Sequence, residues 1–241
     1  MDGEADIASV AAAIGHPARG RMLTAMLGGR ALPATDLARV ARISRSTASA
    51  HLAQLTRAGL VEVERQGRHR YHRLASEEVA QVIEDLAVIA PDEPIRSLRD
   101  DTRKTALRAA RSCYDHLAGV VGVALADRLC ELGALEPASL ALADPRPFTA
   151  LDVDVAALGR GRRPVTRRCI DWTERRPHLA GELGAAVLTG LLDRAWVVRH
   201  AGGRALKVTP RGAAALADAI GLDVAALAPG VIDRPPLRRV A

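Results

Sequence analysis

Residues 44–60 read SRSTASAHLAQLTRAGL. Hydroxyl residues crowd the start of this stretch; Leu52 and Leu55 then follow at the spacing of one helical face, and Leu60 beyond Gly59 anchors the first strand. Such a helix has few apolar anchors, so one face holds a core while the other is cleared of bulk. Ser44 suits the N-cap position, where a hydroxyl accepts from a free backbone N–H. Immediately upstream, Pro33-Ala34-Thr35-Asp36 opens a helix through LARVARI that stops at Ser44. Two helices joined by a turn of about four residues form a helix-turn-helix. A helix that enters the major groove needs small residues at its N-terminal turns so that the backbone can approach bases and phosphates. Ser44, Arg45, Ser46 and Thr47 are therefore expected at phosphates or base edges, with Ser49, Ala50, His51 and Gln54 following along the groove-facing side.

The pattern changes after Gly59. LVEVERQGRHRYHRLA alternates apolar and charged residues on both sides of Gln66-Gly67, which predicts a β-hairpin with a glycine at its tip. Arg65, Arg68, His69 and Arg70 at that tip are candidates for contact with the flanking backbone or minor groove. A helix follows from Ser76, which suits an N-cap, to about Ile89, and Pro91-Asp92-Glu93-Pro94 marks a domain boundary. Upstream, residues 6–14 have helical spacing, and Pro17 suits the first turn of the next helix.

Charge permits a polyanionic partner for this domain. The 241-residue protein carries a formal net charge of +6, and between His16 and Ala75 there are 11 arginines against Asp36, Glu62 and Glu64, a local balance of +8. Only 2% of residues are aromatic, so the core must be aliphatic. Three cysteines, all beyond residue 112, do not make a secreted disulfide framework, and no apolar run is long enough to span a bilayer. A cytoplasmic protein without a membrane partner is expected.

These residues carry a family resemblance. IGHPARGRMLTAML, LPATDLARVARISRSTASAHLAQLTRAGLVEVERQGRHRYHRLA and a last helix beginning SEEV together resemble the ArsR family of winged helix-turn-helix regulators. The resemblance covers residues 1–90, with the recognition helix on Arg45 to Arg57 and the wing on Val61 to Leu74. It implies a homodimer whose first and last helices pack across the two-fold axis, and a repressor bound to an inverted double-stranded DNA operator until a signal releases it. Arsenic- and cadmium-type members carry Cys-x-Cys in the helix before the turn, where this chain has LPATDLA. Zinc- and nickel-type members use histidines of the last helix, which here reads SEEVAQVIEDLAVIA. Both familiar metal sites are missing, so any signal is read beyond Pro94.

Residues 95–241 contain a degenerate duplication, at about 113–158 and 169–227. HLAG occurs at 116–119 and 178–181, DVAAL at 154–158 and 223–227, and a Cys-x-Asp precedes each HLAG. In the second copy VVRHAGGRALKVTP predicts a hairpin followed by a helix, a winged-helix-like outline. In the first, ASLALADPRPFTAL is its eroded counterpart. Helix is expected from about Ile95 to Cys130, interrupted near Gly119, with Cys113 and His116 at i and i+3 on one helical face.

Packed about a pseudo-two-fold axis, Cys113, His116, Cys169 and His178 would converge on a tetrahedral metal site, with Asp115 and Asp171 as acceptors for the imidazoles. A thiol-redox or small-molecule pocket would draw on Cys113, Asp115, Cys169, Asp171, Trp172 and Arg175. A purely structural role fits the same residues: cysteines as small buried hydrophobes, histidines and aspartates as caps. No cofactor follows from these patterns, and a metal or small-molecule effector stays open. A cysteine nucleophile is conceivable, but no phosphate loop, nucleophile elbow or dinucleotide fingerprint is present, so a non-enzyme is expected. The expected fold is mainly α with small β-hairpin wings: an N-terminal winged helix-turn-helix, then a helical C-terminal domain with the winged-helix-like repeat. The function read from it is sequence-specific transcriptional regulation.

Overall fold

The computed structural model describes residues 4–91, 94, 97–200 and 203–227. The chain forms two compact units, Met1–Ile83 and Glu84–Ala241.

The first unit begins with α1 (Ile7–Ile14), capped by Asp6, and α2 (Pro17–Met26), where His16 Nδ1 accepts from the Ala18 N–H. A short strand β1 (Leu32–Pro33) leads into α3 (Ala34–Ala41), which ends at Arg42 in the left-handed region, φ 57°. The turn is three residues long, and α4 (Arg45–Arg57) follows with Ser44 as its N-cap; the Ser44 Oγ accepts from the Thr47 N–H at 3.1 Å. Leu52 and Leu55 are buried with Ala48, Leu37, Met22 and Leu23. Each buried leucine contributes roughly 1.5–3 kcal/mol, which suffices to seat a helix whose remaining positions, apart from Ala48 and the half-buried His51, are exposed.

Gly59 at φ 71° turns the chain into β2 (Val61–Gln66), which pairs with β3 (His69–Leu74) from Val61↔Leu74 to Gln66↔His69. Gly67 makes the two-residue turn at φ 58°. This conformation costs glycine little and other residues much. β3 also pairs with β1, giving the antiparallel order β1-β3-β2. The last helix, α5 (Glu77–Ile89), starts where the Ser76 Oγ accepts from the Val79 N–H, and the division between units falls within it. The helix-turn-helix and wing thus lie at the expected residues. The second unit begins at Glu84, ahead of the proline-rich boundary read at 91–94.

The second unit corrects one expectation and develops another. Helix does not run on to Gly119, and the expected start at Ile95 lies outside the described residues: α6 (Leu98–Ala109) ends at Ala110 in extended backbone, and the two-residue strands β4 (Arg111–Ser112) and β5 (Leu117–Ala118) form a tight hairpin. Ser112 N–H donates to Arg204 O, and Leu206 N–H to Ala110 O, so long-range pairing overrides local helix propensity here. α7 (Val120–Glu131) follows. A single bridge, Leu135↔Leu142, is what remains of the first copy's hairpin, before α8 (Arg146–Ala150) and a 3-10 turn at Val155–Ala157.

The second copy repeats this order more fully. β6 (Arg167–Ile170) pairs with β7 (Pro177–Ala180), and α9 (Gly181–Asp193), β8 (Val197–Arg199), β9 (Leu206–Val208), α10 (Pro210–Ile220) and a 3-10 turn at Val224–Ala226 follow. Ala201 and Gly202 lie outside the described residues. The echo is structural in detail. Asp154 and Asp223 cap the two 3-10 turns with φ −78° and −79°. Gly119 and Gly181 each link strand to helix at positive φ. One turn on, a Cβ at Gly122 would stand 2.5 Å from the Leu117 carbonyl oxygen, and one at Gly184 2.6 Å from that of Leu179. HLAG-x-x-G is therefore a strand–turn–helix in which both glycines are sterically required, and it occurs twice. Leu117, Val121, Leu125, Leu179, Leu183 and Val187 bring both copies into one aliphatic core with Phe148.

Candidate nucleic-acid interface and a buried cysteine–histidine cluster

On α4, Ser44, Arg45, Ser46, Thr47, Ser49, Ala50 and Gln54 are exposed, and His51 is half-buried. Three hydroxyls meet at the helix start, with the Ser44 Oγ 2.9 Å from the Ser46 Oγ and 2.8 Å from the Thr47 Oγ1. Ser49 Oγ donates to Arg45 O at 3.0 Å. This helix N-terminus offers free N–H groups, hydroxyls and the positive end of the helix dipole, a combination that suits phosphate.

His51 and Gln54 are engaged internally. Arg19 donates from Nη1 to Gln54 Oε1 at 2.7 Å and lies 3.4 Å from His51 Nδ1, while its Nη2 donates to Ala12 O at 2.7 Å. The His51 ring tilts against that of His16 at 4.4 Å. Arg19 thus ties the end of α1 to α4, a role its place in the sequence did not reveal. Among the α4 residues expected at DNA, Arg45, Ser46, Thr47, Ser49 and Ala50 are exposed and not drawn into the Arg19 tie.

In the wing, Arg65 and Arg70 are a directly opposed cross-strand pair, and Arg68 and His69 are exposed at the tip. Like charges directly opposite destabilise a hairpin. Glu62 and Glu64 both lie beside Arg73, at 2.6 and 3.9 Å. Among the described residues no carboxylate neutralises Arg65, Arg68 or Arg70, so their charge faces outward uncompensated.

The second unit holds the other cluster. Cys113, His116, Cys169 and His178 are each 2% exposed or less, and their ligand-type atoms all lie within 4.8 Å of one another. Cys113 and His116 sit in the turn of the β4–β5 hairpin, closed by Cys113 N–H donating to His116 O, and not at i and i+3 of a helix as expected. Cys169 and His178 face each other as a cross-strand pair of β6 and β7. The two sulfurs are 3.9 Å apart and the two imidazole centroids 5.1 Å. The neighbouring Cys169 sulfur, and then burial, push the Cys113 thiol up to about 12. Cys130 is half-buried against the aliphatic core, away from the cluster.

The two aspartates have separate tasks. Asp115 lies 3.2 Å from His116 Nδ1 and receives two bonds from Arg163, at 2.5 and 2.9 Å. Burial opposes its ionisation, but the bonds from His116 and Arg163 hold its carboxyl down to about 2. Asp171 does not serve an imidazole as expected. It pairs with Arg111 at 2.9 Å, both side chains 0% exposed, and accepts from the N–H groups of Gly119, Thr173 and Glu174. Burial would raise its carboxyl; Arg111 and these donors hold it well below the usual range. Arg111 also covers Trp172 at 4.9 Å, so the tryptophan's cationic neighbour is Arg111, while Arg175 is exposed at φ 55°. Arg111 stands two residues before Cys113 as Arg167 stands before Cys169, the one trace of its role in the repeat.

A short turn, a helix start cleared to hydroxyls and a basic hairpin define a winged helix-turn-helix DNA-binding protein. Residues 14–64 match a family model described as a helix-turn-helix domain. Over 211 residues the chain is 41% identical to YdfF of Bacillus subtilis (strain 168), described as an uncharacterized HTH-type transcriptional regulator, covering 86% of this chain and 93% of that relative. The chain belongs to the HTH-type transcriptional regulators. Among solved structures, it is similar to the homodimeric winged helix-turn-helix domain Mb0332 of Mycobacterium bovis, a possible ArsR-family regulator: 30% identity, 37% of this chain and 89% of that chain, TM-score 0.32. It is also similar to the cadmium metal-sensor CMTR of Mycobacterium tuberculosis, at 31% identity over 39% of this chain and 100% of that one, TM-score 0.31. Among the described residues no helix is long and apolar enough to cross a membrane.

Proposed function

We propose that this regulator is a homodimeric repressor that recognises an inverted operator with α4 in the major groove and the wing on the adjacent backbone. The observation that carries this reading is the pairing of an exposed face of Arg45, Ser46, Thr47, Ser49 and Ala50 with three uncompensated wing arginines in one unit. Arg45 and the hydroxyls of Ser46, Thr47 and Ser49 offer donors to base edges and phosphates, while Arg65, Arg68 and Arg70 supply sequence-independent attraction. A two-fold dimer places two recognition helices about one turn of DNA apart, so half-sites should be centred roughly 10 base pairs or a multiple apart. A nuclease footprint on the DNA upstream of the protein's own gene tests this reading. Two protected, inverted half-sites at that spacing support it; protection that spreads without a boundary across the fragment refutes it.

A further inference from the structure

We propose that Cys113, His116, Cys169 and His178 form a closed tetrahedral zinc site that joins the two copies of the duplicated motif. The site is independent of the operator reading, since it lies wholly within the second unit.

Four observations converge on it. The first is distance. The sulfurs are 3.9 Å apart, about twice the length of a disulfide bond. Two thiolates at about 2.3 Å from one zinc ion, separated by the tetrahedral angle, lie about 3.8 Å apart. The sulfur pair therefore already spans a tetrahedral edge.

The second observation is an accounting of buried nitrogens. Among the described residues, His116 Nε2 and both ring nitrogens of His178 are buried with no hydrogen-bond partner. Native interiors pair their buried polar groups, and a ring with both nitrogens unpaired is costly. A cation bound through one nitrogen of each ring supplies a partner of the chemistry that imidazole lone pairs accept.

The third is the support behind the ligands. Asp115 accepts a hydrogen bond from the Nδ1–H of His116, which leaves Nε2 to present its lone pair, and Arg163 holds Asp115 in place. Metal-bound histidines characteristically donate their other nitrogen to a carboxylate that is itself hydrogen-bonded.

The fourth is charge and donor type. Binding a divalent cation releases one proton from each thiol, and two thiolates with two neutral imidazoles then neutralise the ion in an interior where a net charge would be expensive. Two sulfurs and two nitrogens suit zinc, a borderline-soft cation without geometric demands of its own. With four protein ligands and all four residues buried, no position stays open for water or substrate, which is the form of a structural site.

The placement explains why these residues stand where they do. Cys113 and His116 come from the β4–β5 turn of one copy, and Cys169 and His178 from β6 and β7 of the other. One ion thus crosslinks segments whose cysteines are 56 residues apart. Together with the Arg111–Asp171 pair, it fastens strands of two or four residues that are too short to be stable alone.

The test uses the full chain, purified under reducing conditions without chelator. Elemental analysis should find one zinc per chain. Denaturation with a chelator, followed by refolding with cobalt(II), should give the visible bands of tetrahedral cobalt and a thiolate-to-cobalt charge-transfer band. Cys169→Ser should abolish that band's full intensity, and Cys130→Ser, at the thiol outside the cluster, should leave stoichiometry and spectrum unchanged. To guard against a Cys169→Ser chain that does not fold, His178→Cys provides a variant that keeps four ligands. It should retain one metal with a charge-transfer band about 1.5-fold stronger, from three thiolates in place of two. Absence of metal from the reduced chain, with no charge-transfer band on refolding in cobalt, would overturn the proposal. So would loss of the metal in Cys130→Ser, or a Cys113–Cys169 disulfide whose reduced form takes up no cobalt.

Discussion

Replacing Asp171 by alanine should unfold the second unit far more readily than any surface change. The carboxylate is fully buried against Arg111, which is also fully buried, so the substitution leaves an uncompensated guanidinium in the interior. Breaking such a pair on one side costs about 3–5 kcal/mol. The N–H of Gly119, at the start of α7, loses its 2.6 Å bond as well, and a buried donor left unpaired adds about 1–3 kcal/mol, though the two effects overlap. A loss of about 4 kcal/mol or more is expected, a large part of a small domain's stability. Both tryptophans, Trp172 and Trp196, lie in this unit, so urea unfolding followed by intrinsic fluorescence reports on it directly. The double variant Arg111→Met with Asp171→Leu should recover more than half of the loss, because it removes both buried charges. A single-variant loss below about 1 kcal/mol would refute the reasoning, since a pair worth so little is a solvated one.

Three further outcomes follow from the geometry. Gly122→Ala and Gly184→Ala should each cost about 1–3 kcal/mol in thermal melts, because the new methyl meets a backbone carbonyl in both copies; an unchanged melting temperature in either would contradict that close approach. Arg19→Ala should cost about 1 kcal/mol and lower the hydrogen-exchange protection of α1, whose last carbonyls it binds; unaltered exchange would show that the tie is idle. Glu84 is buried beside Arg204, and although burial alone would raise its carboxyl, the guanidinium lowers it below its unfolded value. Its contribution is therefore present above about pH 4.3 and is lost as pH falls below that, so Glu84→Gln should flatten the acid limb of a stability–pH curve measured between about pH 7 and 3. An acid limb identical to that of the unaltered chain would contradict the assignment.

The first unit was readable from sequence because its signals are local. Gly59 and Gly67 punctuate the wing where left-handed backbone is needed, Ser44 and Ser76 cap their helices, and the leucine spacing of α4 carries a single face. What stayed hidden there is Arg19, whose partners lie up to 35 residues away. In the second unit the repeated HLAG pointed to the four cysteine and histidine residues, and their convergence followed from the duplication. Their local structure did not. β4 and β5 have two residues each, too few to display a period, and they follow an alanine- and arginine-rich run that favours helix. That turn is held by pairing with Arg204 and by the Arg111–Asp171 pair, 60 residues apart, which no local pattern encodes. The same distance separated Asp171 from the role read for it: a Cys-x-Asp repeat gives equal aspartates, but of the two Asp115 is the one within hydrogen-bond distance of an imidazole.

The division of labour between α4 and the wing is most directly tested by measuring operator affinity against salt concentration. Anisotropy titrations should compare the operator with a scrambled duplex, for the unaltered chain, for Ser46→Ala with Thr47→Ala, and for Arg65→Ala with Arg70→Ala. The wing variant is expected to weaken both duplexes alike and to reduce the slope of log K on log salt by about 0.9 for each phosphate the wing no longer neutralises. The α4 variant is expected to lower affinity for the operator alone, bringing the two duplexes closer together. Equal affinity of the unaltered chain for operator and scrambled DNA, or an α4 variant that keeps its full preference, would contradict recognition through this helix.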